Sequence, residues 1–141
     1  MNSKIDWTGL VSAMAHIRES GRKYPQIDVD LPSGFRIQLR LDKHWQVWIN
    51  EWNDAKADRT GLAVISCDGK TMRALGAKNL QEPEKTELRA FCRALAEDPK
   101  EALAAAGKRL GFCCLCSRPL SNDESVERGM GPTCAKRAGW A

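Results

Sequence analysis

SGFRIQLRLDKHWQVWINEW, residues 33–52, alternates on both sides of a polar break. Phe35, Ile37, Leu39 and Leu41 are spaced by Arg36, Gln38 and Arg40. Trp45, Val47 and Ile49 are spaced by Gln46 and Trp48, with Asn50 following. A period of two puts the apolar set on one face of an extended chain, so two such runs around a turn predict an antiparallel β-hairpin. The turn is expected near Asp42-Lys43. GLAVIS (61–66) and KTMRAL (70–75), around Cys67-Asp68-Gly69, predict a second hairpin. Asp-Gly marks the turn because glycine accepts a positive φ. Residues 54–60 read as a polar loop between the two hairpins.

Outside the hairpins the period changes to that of a helix. Leu10, Val11, Met14 and Ile17 fall on one helical face, with Asp6 or Thr8 to start the helix and Gly21 to end it. EPEKTELRAFCRALAED, residues 82–98, places Leu88, Phe91, Cys92 and Leu95 on one face. Pro83 suits its first turn, and Glu82, Glu84 and Glu87 suit the positive end of its dipole. Asp98-Pro99 restarts a helix that Gly111 would close. The expected architecture is α+β: a small, four-stranded antiparallel sheet with flanking helices. Arg36, Arg40, Trp48 and Trp52 project from the face opposite the apolar set. Arginines beside aromatics suit stacking on single-stranded bases. A covering helix, or tryptophans closing the sheet edge, is the structural alternative, and it is the one a small α+β unit favours.

Size and composition narrow the class. The chain has 141 residues, 43% apolar and 28% charged, with a net charge of +4. That fits one globular core, and a mild basic bias permits an acidic partner without requiring one. MNSKIDWTGL at the start lacks a basic segment followed by an apolar one, so no secretory signal is expected. No apolar run approaches the length of a membrane span. The chain therefore reads as cytosolic, where thiols stay reduced and a Cys-x2-Cys pair is more often a metal or redox element than a disulfide.

GFCCLCSRPLSNDESVERGMGPTCAKRAGW, residues 111–140, contains such a pair. Residues 1–107 read as an α+β domain and 108–141 as a small module packed on it. The module has few large apolar side chains, too few for a core of its own, so something else must hold it. A metal ion is the most economical staple. Cys113-x2-Cys116 has the spacing of a zinc knuckle, in which a tight turn points two thiolates at one ion. Pro132 suits the first turn of a short helix, and Cys134 then sits where free N–H groups favour a thiolate. A knuckle plus a ligand at a helix start is the plan of a treble-clef-like zinc site. Cys114 is the fourth candidate, although adjacent residues point apart; water or a more distant side chain stands beside it. Cys92 reads as a core thiol, His16 as a surface or satisfied histidine, and His44 as a turn residue. A redox pair and unmetallated structural cysteines remain open alternatives. Ser121-x-x-Glu124 predicts a capped helical turn between the ligands, with Ser125 either structural or offering its N–H to a phosphate.

The residues Cys113, Cys116, Arg118, Leu120, Ser125, Gly129, Gly131, Pro132, Cys134 and Ala135 follow the pattern Cys-x2-Cys-x-Arg-x-Leu, then Gly-x-Gly-Pro-x-Cys-Ala. This tail resembles a small domain of unknown function carried by many bacteriophage proteins. The doublet Cys113-Cys114 and the closing Gly139-Trp140 resemble a phage subset of it. The resemblance implies a phage origin, zinc held by Cys113, Cys116 and Cys134, and residence in the host cytoplasm. Relatives often accompany nucleic-acid enzymes such as helicases, which points towards nucleic acid.

Lys108, Arg109, Arg118, Arg128, Lys136 and Arg137 face Asp123, Glu124 and Glu127 in the tail. This basic excess suits phosphate contacts on a rigid scaffold. The expected function is a zinc-stabilised binding protein acting on nucleic acid or a nucleic-acid-processing complex. Arg118, Arg128, Lys136, Arg137, Trp48 and Trp52 are the candidate contacts. A small inhibitor of a host enzyme or defence complex is the alternative, with the Trp48–Trp52 face as its anchor. No acid/base pair, glycine-rich phosphate loop or His-Glu zinc motif is visible, so no enzyme is expected.

Overall fold

The computed structural model describes residues 5–53, 58–76 and 80–140. The chain order is α1 (Thr8–Glu19), β1 (Gln26–Asp30), β2 (Arg36–Leu41), β3 (Val47–Asn53), β4 (Asp58–Ile65), β5 (Met72–Ala74), α2 (Glu82–Glu97), α3 (Pro99–Leu110), α4 (Asp123–Arg128) and α5 (Pro132–Arg137). The strands form one antiparallel sheet in sequence order, β1 to β5. The fold is α+β, as the two periodicities predict.

β1 corrects the four-stranded expectation. Its ladder with β2 runs from Gln26↔Arg40 to Asp30↔Arg36. Ile27, Val29 and the following Leu31 are buried, and Asp28 is exposed. Aspartates depress strand propensity, and here they sit on an edge strand, where charge discourages pairing with other chains. Of the loop expected at 54–60, residues 54–57 lie outside the described residues, and Asp58, Arg59 and Thr60 already belong to β4.

The hairpin of β2 and β3 pairs Leu41 with Val47 and Ile37 with Glu51. Phe35, Ile37, Leu39, Leu41, Val47 and Ile49 are all buried, as alternation requires. Trp45 does not join them. It lies in the connecting turn with φ of 62°, and it is 36% exposed. Asp42 builds that turn. Its carboxylate accepts from the N–H groups of His44 (2.8 Å) and Gln46 (2.9 Å) and from the Trp48 indole N–H (2.8 Å). Partial burial pushes its pKa up, but these hydrogen bonds outweigh burial and hold the carboxyl below its usual range.

Leu10, Met14 and Ile17 of α1, Leu95 of α2 and Leu103 of α3 share one core cluster with the apolar face of the sheet. On the opposite face Arg36, Arg40, Trp48 and Trp52 are half-buried. Gln38 and Asn50, paired across the ladder between them, are buried. Arg36 is ion-paired to Asp30 at 2.6 Å. α2 opens with Glu84 accepting the Gln81 N–H (2.9 Å), and α3 with Asp98 accepting the Glu101 N–H (3.1 Å).

α3 carries the chain across position 107 into the tail. Cys113, Cys114, Leu115, Met130, Ala135 and Ala138 belong to the same core cluster as the sheet and helices. The junction is made by two glycines. A Cβ on Gly107 would lie 2.0 Å from the Gly129 carbonyl oxygen, and one on Gly129 would lie 2.2 Å from that of Ala104. Only a missing side chain on both partners lets these backbones approach so closely.

Candidate metal centre

Residues 112–119 form a narrow loop. Phe112 bridges Pro119, and the Cys113 N–H donates to the Arg118 carbonyl at 2.8 Å. At its tip the Ser117 N–H donates to the Cys113 carbonyl at 2.9 Å, with Ser117 at φ of 63°. This tight turn points Cys113 and Cys116 the same way. α4 follows, capped by Asn122, whose Oδ1 accepts the Ser125 N–H at 2.8 Å. The cap falls one residue after the expected Ser121. Because its N–H is already bonded and the residue is buried, Ser125 takes the structural role. Gly129 and Met130 return the chain to the knuckle through the Cys114 N–H bonded to the Gly129 carbonyl (3.0 Å). α5 then starts at Pro132 and presents Cys134 from its first turn.

The Sγ atoms of Cys113, Cys116 and Cys134 all lie within 4.8 Å of one another. Tetrahedral zinc at about 2.3 Å from each sulfur sets neighbouring sulfurs roughly 3.8 Å apart, so the cluster fits a metal ion with small adjustment. The Gly131 N–H donates to the Cys113 Sγ at 3.4 Å. Burial raises the Cys113 pKa, but N–H groups of Gly131, Leu115 and Cys116 outweigh it, and the thiol falls below its ordinary value. Cys134 is pushed up to about 12 by burial, then by its hydrogen bond with Cys116 and the charge of Cys113. Three thiols this close resist carrying three charges, and a bound cation reverses that logic.

Cys114 does not join the cluster. Adjacent side chains diverge, and its Sγ is buried in the core instead, which raises its pKa strongly. Cys92 packs against the core, where burial lifts its pKa to about 11. Cys67 is exposed in the β4–β5 turn. His16 lies 3.4 Å from the Ala138 carbonyl, docking α1 against the end of α5, and His44 sits in the β2–β3 turn. Among the described residues no further Cys, His, Asp or Glu completes the set.

The basic candidates divide. Arg118 and Arg137 line an open cleft of about 410 Å³ together with Arg22, Thr133, Cys116 and Cys134. Arg22 was not legible as a site residue in the sequence. Its guanidinium donates to the carbonyls of Leu115 (3.3 Å) and Gln26 (3.2 Å), tying the α1–β1 loop to the knuckle. Arg128 is paired with Glu124 at 2.8 Å, and Lys136 is exposed outside the cleft. Trp48 and Trp52 are on the sheet, half-buried, and not part of it.

Fold and cluster together define an α+β protein whose C-terminal segment brings three cysteines together in a site fit for a metal ion. Residues 103–139 of this chain match DUF6011, a family of unknown function, over a stretch that contains the whole cluster and leaves the sheet outside it. No curated protein and no solved structure matches the chain. No helix among the described residues is long and apolar enough to cross a membrane.

Ser117 offers a local test of the knuckle. The left-handed region costs a side-chain-bearing residue roughly 1–2 kcal/mol, partly offset in glycine by its larger loss of freedom on folding. Ser117→Gly is expected to stabilise the protein by about 0.5–1 kcal/mol, read as a higher thermal midpoint. A lower midpoint would show that the serine side chain holds the turn.

Proposed function

We propose that this chain is a bacteriophage-encoded, zinc-stabilised binding protein that acts on nucleic acid, or on a nucleic-acid-processing complex, in the host cytoplasm. The observation that supports this reading is the cleft in which Arg22, Arg118 and Arg137 flank Cys116 and Cys134. Guanidinium groups are weakly hydrated forks that match phosphate oxygens, and a fixed scaffold spares them ordering entropy. Zinc suits a site whose protein donors are thiolates, here three of them. Its role here is to hold the knuckle against α5; the chemistry-bearing residues are thiols and arginines, and the reading is of binding rather than catalysis.

The test is a salt titration of DNA and RNA binding. Affinity should fall as salt rises, and the slope of log affinity against log salt should shrink by about one for each of Arg118→Ala and Arg137→Ala. An affinity indifferent to salt and to both substitutions would remove the nucleic-acid reading. A dominant host protein retained after nuclease treatment would redirect it to an inhibitor of a host complex.

A further inference from the structure

We infer that Tyr24 and Trp45 form a base-stacking platform for single-stranded nucleic acid, adjoining the arginine cleft. The inference rests on the nucleic-acid reading above and names the form of the ligand. Trp45 is the first observation. The turn after β2 takes a residue at φ of 62°, where hairpin loops of this kind favour glycine or asparagine. A bulky side chain there is a true backbone outlier, and such outliers concentrate at functional positions. The tryptophan is not required by the core, since it is exposed and lies outside the buried cluster.

The indole is nevertheless held. The Arg18 guanidinium lies 4.0 Å from its ring centre and donates to the Asp42 carbonyl at 3.2 Å. That fixes one face and keeps the ring ready to stack. Tyr24, 43% exposed, lies beside it: Arg18 is also 6.0 Å from the Tyr24 ring, with Lys23 at 5.5 Å and Arg40 at 6.0 Å. Two exposed aromatic faces framed by three cations suit stacked bases with a phosphate backbone alongside. The acid of the turn, Asp42, is occupied by the His44 and Gln46 N–H groups and the Trp48 indole. Arg22 stands two residues from Tyr24, at most about 7 Å of extended chain, and lines the cleft with Arg118 and Arg137. One strand can therefore place bases on the rings and phosphates in the cleft. A duplex keeps its bases stacked on each other and gains nothing from the rings.

Fluorescein-labelled oligothymidylate and a mixed-sequence duplex, titrated at one salt concentration, provide the test. Trp45→Gly removes the ring while supplying the residue the turn favours, so its thermal midpoint should not fall. Single-strand affinity should drop about tenfold or more in Trp45→Gly and in Tyr24→Ala, with duplex affinity unchanged, and Tyr24→Phe should restore it. Arg118→Ala with Arg137→Ala should weaken both probes. Unchanged single-strand affinity in folded Trp45→Gly, alongside that arginine effect, overturns the platform and leaves the cleft standing. Failure of the parent protein to bind either probe overturns both the platform and the nucleic-acid reading of the cleft.

Discussion

Chelating the metal, or replacing Cys134 by serine, is expected to melt residues 111–140 while the sheet keeps its fold. The tail's buried residues are few, and Cys113, Cys116 and Cys134 sit where its three pieces meet: the knuckle, the α4 return and α5. Structural zinc in small modules contributes about 10–16 kcal/mol of apparent folding free energy, far more than such a core supplies. The sheet has its own support in Leu10, Met14, Ile37, Leu39, Ile49, Ile65 and Leu95, all buried. Amide exchange resolved along the chain measures the effect. Protection should vanish in the tail and persist in β2 and β3; protection retained throughout the chelated protein would mean that packing alone holds the module.

The same site predicts a pH signature. Burial, the hydrogen bond with Cys116 and the charge of Cys113 push the Cys134 thiol up to about 12. At neutral pH Cys134 must release a proton to become a ligand, so metal affinity should rise with pH.

Gly107→Ala carries the second large effect, and its sign opposes helix propensity. Alanine is favoured over glycine in a helix by about 1 kcal/mol. At position 107 the added Cβ would lie 2.0 Å from the Gly129 carbonyl oxygen and 2.9 Å from that of Phe112. Both are backbone atoms, which cannot swing aside as a flexible side chain does. Separating α3 from the knuckle should cost about 3 kcal/mol or more. Ala105 is exposed on the same helix, so Ala105→Gly supplies the control and should cost only about 1 kcal/mol. Denaturant midpoints decide the matter; a Gly107→Ala midpoint at or above the parent's would mean that the two backbones are not in contact.

Local rules carried much of the reading. Alternation in residues 35–49 placed the central hairpin, and Asp98-Pro99 and Gly111 placed the ends of α3. The spacing of Cys113, Cys116 and Cys134 placed three sulfurs together, and the divergence of neighbouring side chains explains why Cys114 stays out. β1 escaped notice because its five residues include two aspartates and follow Pro25, a weak strand signal until the β2 ladder supplies its partners. Trp45 matched the apolar alternation, and only the turn geometry set by Asp42 removes it from the strand. Arg22 joins the cleft through tertiary contact, for which adjacency in sequence offers no signal.

X-ray absorption at the edge of the bound metal, on protein purified under reducing conditions, tests the metal centre most directly. Zinc with three sulfur neighbours at about 2.3 Å is expected, unchanged in Cys114→Ala and lost with the metal in Cys134→Ser. A parent protein that carries no metal, or one whose metal shell lacks sulfur, would contradict it.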